Sequence, residues 1–183
     1  LRVIDPTCGS GAFLFAGLRV LQPLYEATLD ALERHVRSTA FPDGEALLET
    51  VSKHANTEYF VLKHATLSNL YGVDIMREAV EVARLRLFLK LVASIDNRED
   101  LEPLPDLDFN IKPGNTLVGA LTVDSLEADS GTLFTSDRIT EVKKSAARIS
   151  EHYSAFRERQ ETNESSGDLR RKLVVLLDEV RSD

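Results

Sequence analysis

Apolar positions follow two rhythms along the chain, and each rhythm predicts a different element. Short apolar runs at Leu1–Asp5, Leu70–Asp74 and Leu107–Ile111 read as three strands, the first of them a short buried one. Between them, apolar residues recur every three or four positions. Ala12 to about Arg37 favours helix, with Pro23 expected to break or kink it. Pro42-Asp43-Gly44 predicts a turn, and residues 45–55 and 58–68 predict two further helices. Residues 77–94 give the strongest helical signal, with Val80, Ala83, Leu87 and Leu91 on one face. Residues 96–106 are acidic, carry two prolines and read as a loop. Residues 120–136 have no clear period, and residues 138–160 and 168–180 read as charged helices either side of Asn163-Glu164-Ser165-Ser166-Gly167. No internal repeat is present. The strand–helix–strand–helix–strand order predicts an α/β fold with a parallel sheet.

Composition narrows the class. A length of 183 residues suits a core that needs neither disulfides nor metals. Thirty acidic against 22 basic residues give a net charge of −8, which argues against a free-standing nucleic-acid binder. The charge is uneven: residues 1–136 hold 12 basic and 20 acidic side chains, whereas residues 137–183 hold 10 of each. Cys8 is the single cysteine, so the simplest compartment is the reducing cytoplasm. No apolar run approaches the ~18 residues of a membrane span, and no signal-peptide pattern opens the chain. An apolar strand-like run beginning at Leu1 reads as the start of an excised fragment.

Three loops carry candidate chemistry. Asp5-Pro6-Thr7-Cys8-Gly9-Ser10-Gly11 follows a strand and opens a helix. Its glycines permit a tight turn and close approach of a ligand, and the helix start offers free N–H groups. Leu14 stands where a dinucleotide fingerprint has its third glycine, and no Gly-Lys-Ser/Thr triplet occurs. The loop therefore suits a nucleoside without a phosphate chain; a generic strand–helix turn explains the glycine pair equally well. Asp74 ends the second strand, beside the first loop at the crevice where parallel sheets bind ligands. It can accept hydrogen bonds from both ribose hydroxyls with Ile75 against a base, or serve as an N-cap. Asn115 follows the third strand, where its amide can pair with an adenine edge or simply make a turn.

Taken together these strings resemble the N6-adenine DNA methyltransferases. Residues 5–14 resemble that family's motif I, residues 69–89 its motif II region and residues 110–119 its motif III segment. The nearest subgroup is the large single-chain restriction-modification and phage-defence enzymes, which also carry a helical stretch between motifs I and II. The resemblance implies a partial Rossmann-like class I methyltransferase sheet with strands ordered 3-2-1, extra helices and a helical tail. It implies an S-adenosylmethionine-binding half at residues 1–119 and a charged helical insert at 120–183. Asp5, Pro6, Gly9 and Gly11 would hold the methionine part of S-adenosylmethionine, Asp74 the ribose, Ile75 the adenine face and Asn115 the adenine amino group. DNA would be the partner of the full-length protein, with adenine as the methylated base.

The departures set further expectations. The family's catalytic Asn/Asp-Pro-Pro-Tyr/Phe motif, which grips a flipped adenine, does not occur in this sequence, so no catalytic residue is assigned. The chain alone is expected to be inactive and to bind no duplex DNA near physiological salt. An open edge on the first strand is expected to be capped, by a second copy of the chain in preference to the charged tail. Cys8 is not read as a nucleophile. His35, His54, His64 and His152 show no ligand spacing, so no metal is assigned. The basic clusters at Lys143-Lys144, Arg157, Arg159 and Arg170-Arg171-Lys172 each have acidic neighbours and read as solvated helix faces. A methyltransferase acting on protein or RNA, and a non-catalytic helical nucleotide-binding module, stay open as alternatives.

Overall fold

The computed structural model describes residues 1–54, 56–95, 97, 102–118, 136–162 and 165–182. Its elements run β1 (Val3–Asp5), α1 (Ala12–Ser38), α2 (Pro42–Ser52), α3 (Thr57–Asn69), β2 (Leu70–Asp74), α4 (Arg77–Val92), β3 (Ile111–Pro113), α5 (Ser136–Glu161) and α6 (Gly167–Ser182). The aperiodic stretch 120–135 lies outside the described residues, as do residues 96 and 98–101 of the acidic loop. The chain forms two compact units, Leu1–Thr116 and Leu117–Asp183.

The first unit is mixed α/β around a three-stranded parallel sheet ordered β1-β2-β3. Val3 pairs with Leu70, and Gly72 with Ile111, so these residues share the face that the helices cover. Leu14, Leu18 and Leu21 of α1 and Val80, Ala83, Leu87 and Leu91 of α4 pack there. The buried residues of α4 are the four that its periodicity predicts. Helix α3 is buried almost all round, as a helix packed on several sides must be. Its first turn is capped by Asn56, whose side chain accepts the Tyr59 N–H at 3.1 Å and donates to the Ser94 carbonyl at 2.7 Å. The buried Asn110 amide donates to the carbonyls of Leu67 and Leu70 at 2.9 and 3.0 Å, tying the start of β3 to the α3–β2 junction.

Four local expectations are corrected. Helix α1 runs unbroken through Pro23, because the buried leucines before it and Leu29 after it hold both halves against the core. Pro42-Asp43-Gly44 is the first turn of α2 and not a free turn: Pro42 lacks only an N–H that a helix start would leave unpaired, and Asp43 and Glu45 suit the positive end. The third strand begins at Ile111, not Leu107. The Asp106 carboxylate accepts the Asp108 N–H at 2.8 Å, and the Leu107 carbonyl takes the N–H groups of Asn110 and Ile111, so residues 107–110 close into a turn. Strand β1 is not buried: Ile4 is 66% exposed, on the sheet face that α1, α3 and α4 leave open.

In the second unit α5 and α6 pack as a helical hairpin. Phe156, Leu169, Leu173 and Leu176 are buried in it, and Arg159 pairs with Asp168 at 3.2 Å near the turn. Among the described residues no helix is long and apolar enough to cross a membrane.

Candidate functional site

The C-terminal ends of the three parallel strands bring the sequence-predicted loops together. In the first loop the Asp5 carboxylate accepts the Thr7 N–H at 3.1 Å and so holds its own turn. Cys8 N–H donates to the Val73 carbonyl at 2.9 Å, which fastens the loop to β2. Gly9 and Gly11 both take positive φ, 49° and 79°. Their needs differ. A Cβ on Gly11 would stand 2.9 Å from the Ala83 Cβ, so that glycine lets α1 start hard against α4. A Cβ on Gly9 would meet nothing within 4 Å, so its backbone borders open space where a ligand can approach.

Asp74 is the hub. Its Oδ2 accepts the Gly9 N–H at 2.7 Å and its Oδ1 accepts the Met76 N–H at 2.9 Å. The second bond is a local turn rather than a helix N-cap, since α4 begins at Arg77 after Met76. The N–H of Met76 first, and that of Gly9 second, hold the Asp74 carboxyl below the usual carboxylate range. An ionised carboxylate has about four lone-pair sites, so two backbone bonds leave acceptor capacity for two hydroxyls. Ile75 beside it is 72% exposed, an apolar surface next to a fixed anion.

The third loop closes on the same place. Gly114 N–H donates to the Asp74 carbonyl and the Thr116 hydroxyl to the Pro6 carbonyl, each at 2.9 Å. Asn115 lies exposed between them. Cys8 is buried behind the loop, and burial first, then Asp5 and Asp74, push its thiol up. A neutral buried thiol is no nucleophile.

Sequence reasoning missed four contributors. Thr116 clasps the loop of Asn115 to that of Pro6, and Arg86 donates to the Ser10 carbonyl at 3.0 Å. Gly72 is forced by Cys8 and Leu14, since a Cβ there would lie 3.0 Å from the Cys8 sulfur and 2.8 Å from Leu14. The Met76 N–H acts through backbone alone. Thr116, Gly72 and Arg86 stand inside the strings that resemble motifs II and III, but their contacts leave no mark in the sequence pattern. Among the described residues, no cluster of His, Cys, Asp or Glu could hold a metal ion.

The pattern described for MmeI, DNA-methyltransferase domain, matches residues 1–105, more than half of the chain. The chain belongs to that family. The match takes in β1, β2, the glycine loop and Asp74; β3 and Asn115 fall beyond it. This MmeI-type methyltransferase chain is also 31% identical over 123 residues to a Methanocaldococcus jannaschii protein named as a type II restriction enzyme and methyltransferase. That similarity covers 65% of the chain but 9% of the relative's length. No solved structure matches the chain.

Proposed function

We propose that the chain is the S-adenosylmethionine-binding half of a DNA adenine-N6 methyltransferase from a restriction-modification or phage-defence system. One observation carries the reading: the Gly9 N–H reaches the Asp74 carboxylate at 2.7 Å, joining the glycine loop to the acid that ends β2. The residues fit the cofactor. Asp74 is anionic with spare lone pairs, Ile75 is an exposed apolar neighbour, and the space beside Gly9 is open.

On this reading Asp74 holds the ribose hydroxyls and Ile75 lies against the adenine. Asp5, Pro6, Gly9 and Gly11 shape the loop that takes the methionine part, with Gly11 acting through its packing on Ala83. Asn115 faces the adenine amino group. When bound, S-adenosylmethionine supplies a methyl group on a sulfonium. Residues 120–183 form the charged helical insert of the parent, whose methyl acceptor is DNA. The parent works in the cytoplasm, in keeping with a single buried Cys8. With no Asn/Asp-Pro-Pro-Tyr/Phe motif, the chain alone transfers no methyl group to DNA; radiolabel moving from S-adenosylmethionine to a duplex would overturn that.

Calorimetry with S-adenosylmethionine and its demethylated product tests the site. Asp74→Asn keeps the size of the side chain but removes its charge. Bonds to a charged acceptor are about twice as strong as neutral ones, so the affinity should fall roughly tenfold to a hundredfold. Equal affinity in a variant of unchanged helicity would remove Asp74 from the ribose.

A further inference from the structure

The hairpin of the second unit gathers cations that sequence order scatters. Arg148 and His152 of α5 and Arg171 and Lys172 of α6 line one groove of about 390 Å³, with Val175 and Leu176 as its apolar part. One carboxylate, Glu179, joins the lining. Among the described residues, Arg148, Arg171 and Lys172 have no carboxylate within ion-pair distance. Two ion pairs of the hairpin, Arg157–Glu161 at 3.5 Å and Arg159–Asp168 at 3.2 Å, use other residues. Arg171 directs its Nε to the Gly167 carbonyl at 3.3 Å, which leaves the rest of its guanidinium for a ligand. Arg148, Arg171 and Lys172 are exposed.

Three permanent cations around one groove repel one another, and Glu179 of the lining together with Asp168, within electrostatic reach of Lys172, leaves a positive surplus. Guanidinium forks match phosphate oxygens, and a phosphodiester backbone offers several anions in a row. We propose that the α5–α6 groove grips the phosphate backbone of duplex DNA, a contact that positions the duplex and reads no sequence. The proposal rests on the reading of the parent as a DNA methyltransferase. Release of counterions from the phosphates makes the contact strongest at low salt. Three phosphate contacts give a salt slope of about −2.7, hence a loss of about two-hundredfold between ~20 and ~150 mM salt. Duplex binding by the isolated chain is thus visible at the lower figure and lost near physiological salt.

Fluorescence anisotropy of a labelled duplex, titrated with the 183-residue chain across that salt range, tests the groove. Arg148→Gln/Arg171→Gln/Lys172→Gln should weaken binding and flatten the salt slope by about 2.7. Lys143→Gln/Lys144→Gln/Arg170→Gln, the same charge change outside the groove lining, should leave the slope near wild type. Arg148→Lys/Arg171→Lys should retain it, with helicity by circular dichroism equal throughout. Equal losses in both glutamine triples, no duplex binding at ~20 mM salt, or displacement of the duplex by a poly-glutamate peptide at lower concentration than by unlabelled duplex would each overturn the proposal. Calorimetry with S-adenosylmethionine separates the two readings. Cofactor binding without duplex binding sinks the groove alone, and the converse sinks the cofactor site alone.

Discussion

Two glycines two positions apart do different work, and their substitution should separate folding from binding. Gly11→Ala meets the Ala83 Cβ at 2.9 Å and keeps a φ of 79°, so both packing and backbone resist it. A left-handed alanine costs about 1–2 kcal/mol and an overpacked contact about 1–3 more, so denaturant unfolding should show a loss of about 2–5 kcal/mol. Gly9→Ala carries the first cost alone, because nothing lies within 4 Å of its Cβ, but it fills the space proposed for ligand. It should lose about 1–2 kcal/mol of stability together with most of its cofactor affinity. Gly9→Ala with full affinity would move the ligand away from that loop. At this scale Asp5, Gly9, Gly11 and Asp74 stood out in the sequence as an acid and two glycines in the loop after one apolar run and an acid at the end of another. The sequence hid Arg86 and Gly72 because one works on a backbone carbonyl and the other on the volume of Cys8 and Leu14. Neither leaves a periodic trace.

Elements were legible where one periodicity acted alone. Strand β2 follows from its short apolar run, and the buried face of α4 from 3.6-residue spacing. The misplaced boundaries all involve local side-chain or proline chemistry that competes with those rhythms: the Asp106 turn before β3, Pro42 opening α2, and Pro23 inside α1. Pro23 is the most instructive, because tertiary packing overrides it. It is exposed within a 27-residue helix and brings no N–H to it. A proline in a helix interior is about 3 kcal/mol worse than alanine, of which about 1 kcal/mol returns through the stiffer unfolded chain. Pro23→Ala should therefore stabilise the chain by about 2 kcal/mol, read as a raised denaturant midpoint at unchanged slope. A destabilised variant would mean that α1 is shaped around its proline.

At the scale of the whole molecule the sheet is the unfinished part of the described structure. Parallel sheets are normally covered on both faces and flanked on both sides. Here Val3, Leu70, Gly72 and Ile111 meet the helices, whereas Ile4, Tyr71, Val73 and Lys112 look the other way and keep some exposure. Lys112 covers part of that face with its ammonium 5.1 Å from the Phe109 ring, and burial, more than the nearby Arg84, pushes its pKa down. At the far side, β1 pairs with β2 alone among the described strands, and Ile4 is 66% exposed beside that edge. An edge strand with free N–H and C=O groups and an apolar side chain invites another chain, and a lysine in the strand is one of the devices that prevent it. The 183-residue chain should self-associate as its concentration rises, and Ile4→Lys should keep it monomeric while changing its unfolding free energy by no more than a few tenths of a kcal/mol, since Ile4 buries little. Sedimentation velocity reads both. Wild type that stays monomeric to about 100 μM would show that β1 is protected by some other part of the chain, and association that survives Ile4→Lys would place the contact on another surface.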